Sequence, residues 1–249
     1  MLNGERSRMR FIFNPDFSRK DSTMKLTTRL QAAADLVPVC ESMADIGTDH
    51  GYLPISLVQE GCVRRAIACD VNDGPLTRAR EDVISSGFSR QILLRLGGGL
   101  APLAKGEVDG VTICGMGGLL MRDILAENEG KAQALSWLVL QPQGHVAELR
   151  YFLSRHHFRI EKEVLSLDGG QLYELMLVRP GEMAELSMLQ AEIGATAAYR
   201  KDPLFKTHIE RLIRKRRFVI EGAKDSVSER HRKSREKALE EVKVLEGYL

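Results

Sequence analysis

Met43-Ala-Asp-Ile-Gly-Thr-Asp-His-Gly-Tyr-Leu-Pro54 is the stretch whose reading decides the fold. It begins as a buried strand ending at Asp45, after which Gly47 and Gly51 bend the chain into a helix starting near Leu53. A strand, a glycine turn and a helix form a ligand cradle, because the helix aims unpaired N–H groups at whatever lies against the glycines. The spacing is not that of a dinucleotide site. A pyrophosphate-binding turn reads G-x-G-x-x-G, and the place of its middle glycine is taken here by Asp49. A carboxylate there repels a pyrophosphate and suits a cationic ligand; S-adenosylmethionine, with an ammonium and a sulfonium, is one.

The pattern continues downstream. Ala66-Ile-Ala-Cys-Asp70 reads as a second strand, and its terminal acid follows the glycine turn by roughly 20–25 residues, where doubly wound folds present a carboxylate to ribose hydroxyls. Asn72-Asp-Gly-Pro75 opens a helix through Gly87, and Gln91–Leu96 reads as a third strand followed by Gly97-Gly-Gly-Leu-Ala-Pro102. Gly110–Cys114 is a fourth strand running into Gly115-Met-Gly-Gly118. Ser136–Leu140 is a fifth, ending in Gln141-Pro-Gln-Gly144, where glutamine side chains are placed to read a base edge. Three glycine clusters thus fall at the carboxyl ends of strands, the edge at which open parallel sheets bind ligands. His145–His157 has a helical period. Arg159–Leu167 and Gln171–Arg179 alternate around Asp168-Gly-Gly170, which is a hairpin signature. Upstream, Leu30, Ala33, Ala34 and Val37 form one face of a helix beginning at Thr27, expected to pack beside the first strand.

The chain has 249 residues and a formal net charge of +2. That charge is unevenly spread. Residues 26–180 hold 15 Lys and Arg against 19 Asp and Glu, whereas residues 181–249 hold 15 against 12 and residues 1–25 hold 6 against 3. Basic flanks around an acidic middle suit a polyanion gripped by the flanks and modified by the middle. No apolar run reaches the length of a membrane span and no signal-peptide core is present, so the expected location is the cytoplasm. Cys40, Cys62, Cys69 and Cys114 lack metal-site spacing and read as reduced core residues, with no metal site expected. Residues 1–23 have neither helical nor strand period and read as a flexible extension, with Met24 as a natural start.

From Glu182 the composition turns to helix formers. Leu186, Leu189, Ile193 and Ala197 form one stripe; Phe205, Ile209, Leu212, Val219 and Ala223 a second; Ala238, Val242, Leu245 and Leu249 a third. The spacing predicts a hairpin-like coiled coil interrupted at Arg216, with Arg214, Lys215 and Arg217 off the seams as RNA-backbone contacts. The domains expected are therefore the extension 1–23, a cofactor-binding methyltransferase domain 24–180 and a helical hairpin 181–249.

Asp45–Pro54, Asn72–Pro75, Gly115–Gly118 and Leu140–Pro142 together resemble the bacterial tRNA (adenine-22-N1)-methyltransferase family over about residues 24–249. The resemblance implies a Rossmann-like class I methyltransferase sheet followed by a C-terminal helical domain that helps to hold tRNA. It implies S-adenosylmethionine as cofactor, with Asp45 near the methionine ammonium, Asp70 on the ribose, and Gly47, Thr48, His50, Gly98, Gly115 and Met116 around it. Two positions depart from the family pattern. Gly98 stands where an Asp is usual, and Gln143 stands where Asn is common.

The reaction expected is methyl transfer to N1 of an adenine in tRNA. Asp49 is the candidate carboxylate for the cationic product, with capping of the following helix as its structural alternative, and Gln141 and Pro142 are candidate substrate contacts. A non-catalytic tRNA-binding protein with a vestigial pocket and a nicotinamide-dependent oxidoreductase are the competing readings. Monomer and weak dimer are both open.

Overall fold

The computed structural model describes residues 25–249 apart from 225 and 227, so the extension expected over residues 1–23 lies outside the described residues. Seven strands form one sheet in the order β3-β2-β1-β4-β5-β7-β6. The first five, β1 (Cys40–Ile46), β2 (Val63–Asp70), β3 (Ile92–Leu96), β4 (Gly110–Cys114) and β5 (Trp137–Gln141), are parallel. The hairpin β6 (Phe158–Asp168) and β7 (Gln171–Pro180) closes the series, with β7 antiparallel to β5. This is the sheet expected from the sequence.

Both faces of the sheet are covered, as parallel strands require. Along β5, Leu138 and Leu140 join a core layer with Ile46, Ile113 and Phe152, while Trp137 and Val139 point to the opposite layer with Met43, Ile55 and Ala68. The period-two alternation thus feeds two cores from one strand. The connecting helices are α1 (Thr28–Ala34), α2 (Tyr52–Gln59), α3 (Asp73–Ser86), α4 (Gly118–Glu127), α5 (Glu129–Ala132) and α6 (Val146–Leu153). Thr27 caps α1 by accepting from Leu30 N–H at 3.3 Å. Contrary to expectation, α1 packs mainly on β6 and α2 rather than beside β1, and Arg29 N–H donates to Asp168 of the β6–β7 turn. The helix expected over residues 145–157 ends at Leu153, after which the N–H groups of Arg155 and His156 bond three residues back and His157 turns the chain at φ +56°.

The tail differs more. Its second and third stripes are α8 (Phe205–Gly222) and α9 (Glu229–Glu246), which pack as a hairpin. The first stripe makes only α7 (Met188–Ile193), closed at its start by a Ser187/Gln190 capping box. Beyond it, the N–H groups of Ala195 and Thr196 donate to Glu163 at 2.9 and 2.7 Å instead of continuing the helix, which leaves Ala197 exposed. Arg216 does not simply interrupt the seam. Its guanidinium is drawn between the helices onto Glu192 and Glu241.

A buried charge cluster fastens this tail to the sheet. Arg150 of α6 is fully buried; its Nε donates to Glu163 of β6 at 2.6 Å, and its Nη1 donates to Glu174 of β7 at 2.8 Å and to Ala191 O of α7 at 3.0 Å. Arg211 of α8 donates to the other oxygen of Glu174 at 2.5 Å, and Tyr199 O–H donates to the oxygen that Arg150 holds. Burial works to raise the Glu174 pKa, but Arg150, His208 and Arg211 together pull it down to about 2. Arg150, Glu163 and Glu174 are therefore buried together, while Arg211 closes the cluster from its solvent side. Among the described residues no helix is long and apolar enough to cross a membrane.

Breaking a buried pair by removing one partner strands the other charge, which typically costs about 3–5 kcal/mol. Arg150→Ala is expected to lose stability in that range, read as a lower urea midpoint at unchanged slope. A loss below about 1 kcal/mol would mean that the tail docks through other contacts.

Candidate active site

The chain leaves β1 toward β2, while β4 flanks β1 on the other side, so the turns after β1 and β4 diverge at the carboxyl edge. A cavity of about 330 Å³ opens there between residues 47–52 and residues 114–115, with Arg29 and Gln143 on its walls. Gly47 is at φ +76°, a conformation that favours glycine, and the Met116 side chain packs against it. The N–H groups of Gly47 and Thr48 both donate to Cys69 O and tie the turn to the end of β2.

Asp45 is the chemical centre of this cavity. Its carboxyl is buried and accepts from Thr112 Oγ1 at 2.5 Å. Burial pushes its pKa up, while the hydroxyls of Thr112 and Thr48 act in the opposite direction. Thr48 Oγ1 is close enough to favour the charged carboxylate yet short of hydrogen-bond geometry, and it is left buried without a partner among the described residues. A buried acid held by the Thr112 hydroxyl rather than by a cation, beside the orphaned Thr48 hydroxyl, fits a ligand ammonium.

Asp70 ends β2, where its Oδ1 accepts from Asn72 N–H at 2.9 Å. Next to it Val71 and Leu96 are 66 % and 61 % exposed, an apolar ledge beside the acid that suits a ring stacked above a ribose. Asp70 and Gly98 follow β2 and β3 on this side of the cavity and Met116 follows β4 on the other, and none of the three lines it. Gly98 lies outside the left-handed region, and a side chain there would touch only Val71 Cγ2 at 3.9 Å.

Other expected residues have partners of their own. Asp49 sits at φ +49° at the mouth, 62 % exposed, with Arg78 Nη2 donating to it at 2.7 Å. It does not cap α2, whose N-cap is Gly51 without a side-chain bond. His50 is on the cavity wall, 2.9 Å from Asp82 of α3 and stacked on Tyr52. Gln141 is a correction. Its amide is fully buried, with Oε1 accepting from Arg29 Nη1 and from Gly115 N–H and Nε2 donating to Pro142 O, so it holds the β4 turn in shape instead of facing a base. Pro142 is buried beside it, and Gln143 is the glutamine that reaches the cavity. Arg214, Lys215 and Arg217 lie on α8 and do not enter the cavity.

Sequence reasoning missed Arg29. Its guanidinium reaches the cavity wall beside Gly115 and lies 5.6 Å from the centre of the Tyr173 ring. The signal was a lone arginine on a helix otherwise read only for its apolar face.

The Methyltransferase domain family matches residues 26–176. With the parallel sheet and its ligand edge, that match defines a class I, Rossmann-like methyltransferase. The tRNA (adenine(22)-N(1))-methyltransferase of Bacillus subtilis (strain 168) is 38 % identical over 159 residues, 64 % of this chain and 67 % of that protein. The crystal structure of the B. subtilis m1A22 tRNA methyltransferase TrmK superposes with a TM-score of 0.82 at 29 % identity, covering 91 % of this chain and 99 % of that one. Mycoplasma capricolum TrmK, solved with the cofactor product S-adenosylhomocysteine, gives 0.77 at 26 % identity over 89 % and 98 %. The chain belongs to the bacterial tRNA (adenine-22-N1)-methyltransferase family.

Two outcomes test the cofactor edge. A cation beside Asp45 lowers the pKa that burial has raised, so binding of S-adenosylmethionine expels a proton between those two values. Affinity measured by calorimetry should therefore rise with pH in that window and level off above it. Asp45→Asn should weaken binding by about 1.5–3 kcal/mol and remove the pH dependence; a parent affinity flat with pH would take Asp45 out of the site. Gly98→Asp, for which the backbone has room, is expected to leave the melting temperature unchanged and tighten cofactor binding. Unchanged affinity would show that another group already serves the adenine.

Proposed function

We propose that this protein transfers a methyl group from S-adenosylmethionine to N1 of adenine 22 in tRNA, in the cytoplasm. The observation that carries the donor is the buried Asp45 carboxyl beside the unpartnered Thr48 hydroxyl at the β1–β4 crevice. The acceptor rests on membership of the family. S-adenosylmethionine supplies an electrophilic methyl group on a sulfonium.

The chain's own residues bind and align. Asp45 and Thr48 receive the ammonium, Arg29 takes the carboxylate of the same end, and Asp70 accepts from the ribose hydroxyls. Gly47, Gly115 and Met116 bring the backbone close to the reacting end, while Gly98 leaves the adenine edge open. N1 of adenine has an in-plane lone pair and no proton to lose, so alignment at near-attack distance and shelter for the new positive charge are the main tasks. Asp49 offers its carboxylate to that charge, and Arg78 fixes where it sits. Because N1 lies on the Watson–Crick edge, the base must be unpaired or turned out to reach the crevice. In this reading residues 24–180 perform the transfer and residues 181–249 help to hold the tRNA.

The test is incubation with unmodified tRNA and labelled donor, followed by digestion to nucleosides. Label in 1-methyladenosine is the expected product, and label in another nucleoside would overturn the acceptor. Replacing Arg214, Lys215 and Arg217 by Ala should weaken tRNA binding and flatten the slope of log K against log salt by up to roughly 0.7–0.9 per lost phosphate contact. Identical affinity and slope would make the three a solvated face.

A further inference from the structure

We infer that Phe218 is a stacking platform for an unpaired base of the bound tRNA, a base other than the one methylated. The inference rests on tRNA being the substrate. Phe218 is 82 % exposed, the largest exposure among the large apolar side chains of the described residues. Scattered exposed apolar residues are ordinary on protein surfaces, but the surroundings of this one are not. Arg214 and Lys215 precede it by four and three residues on α8 and are both exposed, so the three share one face. A helical side chain leans over the turn before its own Cα, which brings the ring back across these two cations.

Between residues 211 and 217 the other basic residues have carboxylate partners, Arg217 only in an exposed pair. Arg211 is held by Glu174, Arg216 by Glu192 and Glu241, and Arg217 by Glu246. Arg214, Lys215 and Phe218 remain as a patch of two cations around an aromatic face, the combination that holds single-stranded RNA by phosphate contact and base stacking. A second copy of this chain suits the patch less, since a two-fold contact centred on Phe218 would set Arg214 and Lys215 of each copy against the same cations of the other.

The test is a pair of substitutions in the full chain. Phe218→Ala should leave melting temperature and S-adenosylmethionine binding unchanged, because the ring contributes little to the core. It should raise the Kd for unmodified tRNA by about 5- to 150-fold, the loss expected for one stacked base, with the salt slope unaltered. Phe218→Trp should keep the affinity and report stacking directly. The one native tryptophan, Trp137, is 2 % exposed, so iodide-accessible emission comes from the new indole and should be quenched on adding tRNA. Parent-like tRNA affinity in Phe218→Ala, or emission in Phe218→Trp that tRNA does not change, overturns the proposal. So does a change from dimer to monomer on gel filtration of Phe218→Ala at unaltered tRNA affinity. If the parent binds no tRNA, the substrate assignment fails first and the stacking role falls with it.

Discussion

Arg150 is the interaction on which the rest of the arrangement depends. Its guanidinium joins α6, both strands of the hairpin and α7, and through Glu174 it reaches Arg211 on α8. An arginine with no exposed surface is tolerated only where carboxylates take up its charge, and here Glu163 and Glu174 do so while guanidiniums take up theirs. The antiparallel hairpin therefore does more than end the sheet. It carries the two acids inward and gives the helical tail a fixed seat beside the reacting edge.

Under the proposed function that seat matters, because the two halves of the task lie on different elements. The crevice between β1 and β4 can bind a cationic donor, but it lies among acids in the acidic middle of the chain and offers little to a phosphate backbone. The exposed cations of α8 can meet phosphates but have no chemistry. A tail free to swing would hold the tRNA without presenting one base to the methyl group. The buried cluster removes that freedom, and alignment is the main requirement for a nucleophile that needs no deprotonation.

The parallel series and its hairpin were legible in the sequence because strand ends there coincide with glycine or acidic residues. Asp45, Asp70 and Gly115–Gly118 mark their positions without any knowledge of packing. The tail was legible only as amphipathic stripes. Its first stripe breaks at Gly194, at φ +118°, and Glu163, a residue of a distant strand, then takes the backbone N–H groups of Ala195 and Thr196, a contact of which local periodicity carries no trace. The same limit explains Gln141, which has the chemistry of a base reader and is consumed by Arg29 and Gly115. Arg29 and Arg150 went unmarked for the same reason, although one reaches the cavity wall and the other lies in the core.

The central claim is that this edge and this tail together deliver one methyl group to one Watson–Crick face. A methyl on N1 blocks pairing, so reverse transcription across a tRNA treated with the protein and S-adenosylmethionine reports the position directly. A single new stop adjacent to adenine 22, absent when the donor is omitted, is the predicted result. Stops at another nucleotide, or full-length read-through of a tRNA that has nonetheless taken up label, would contradict it.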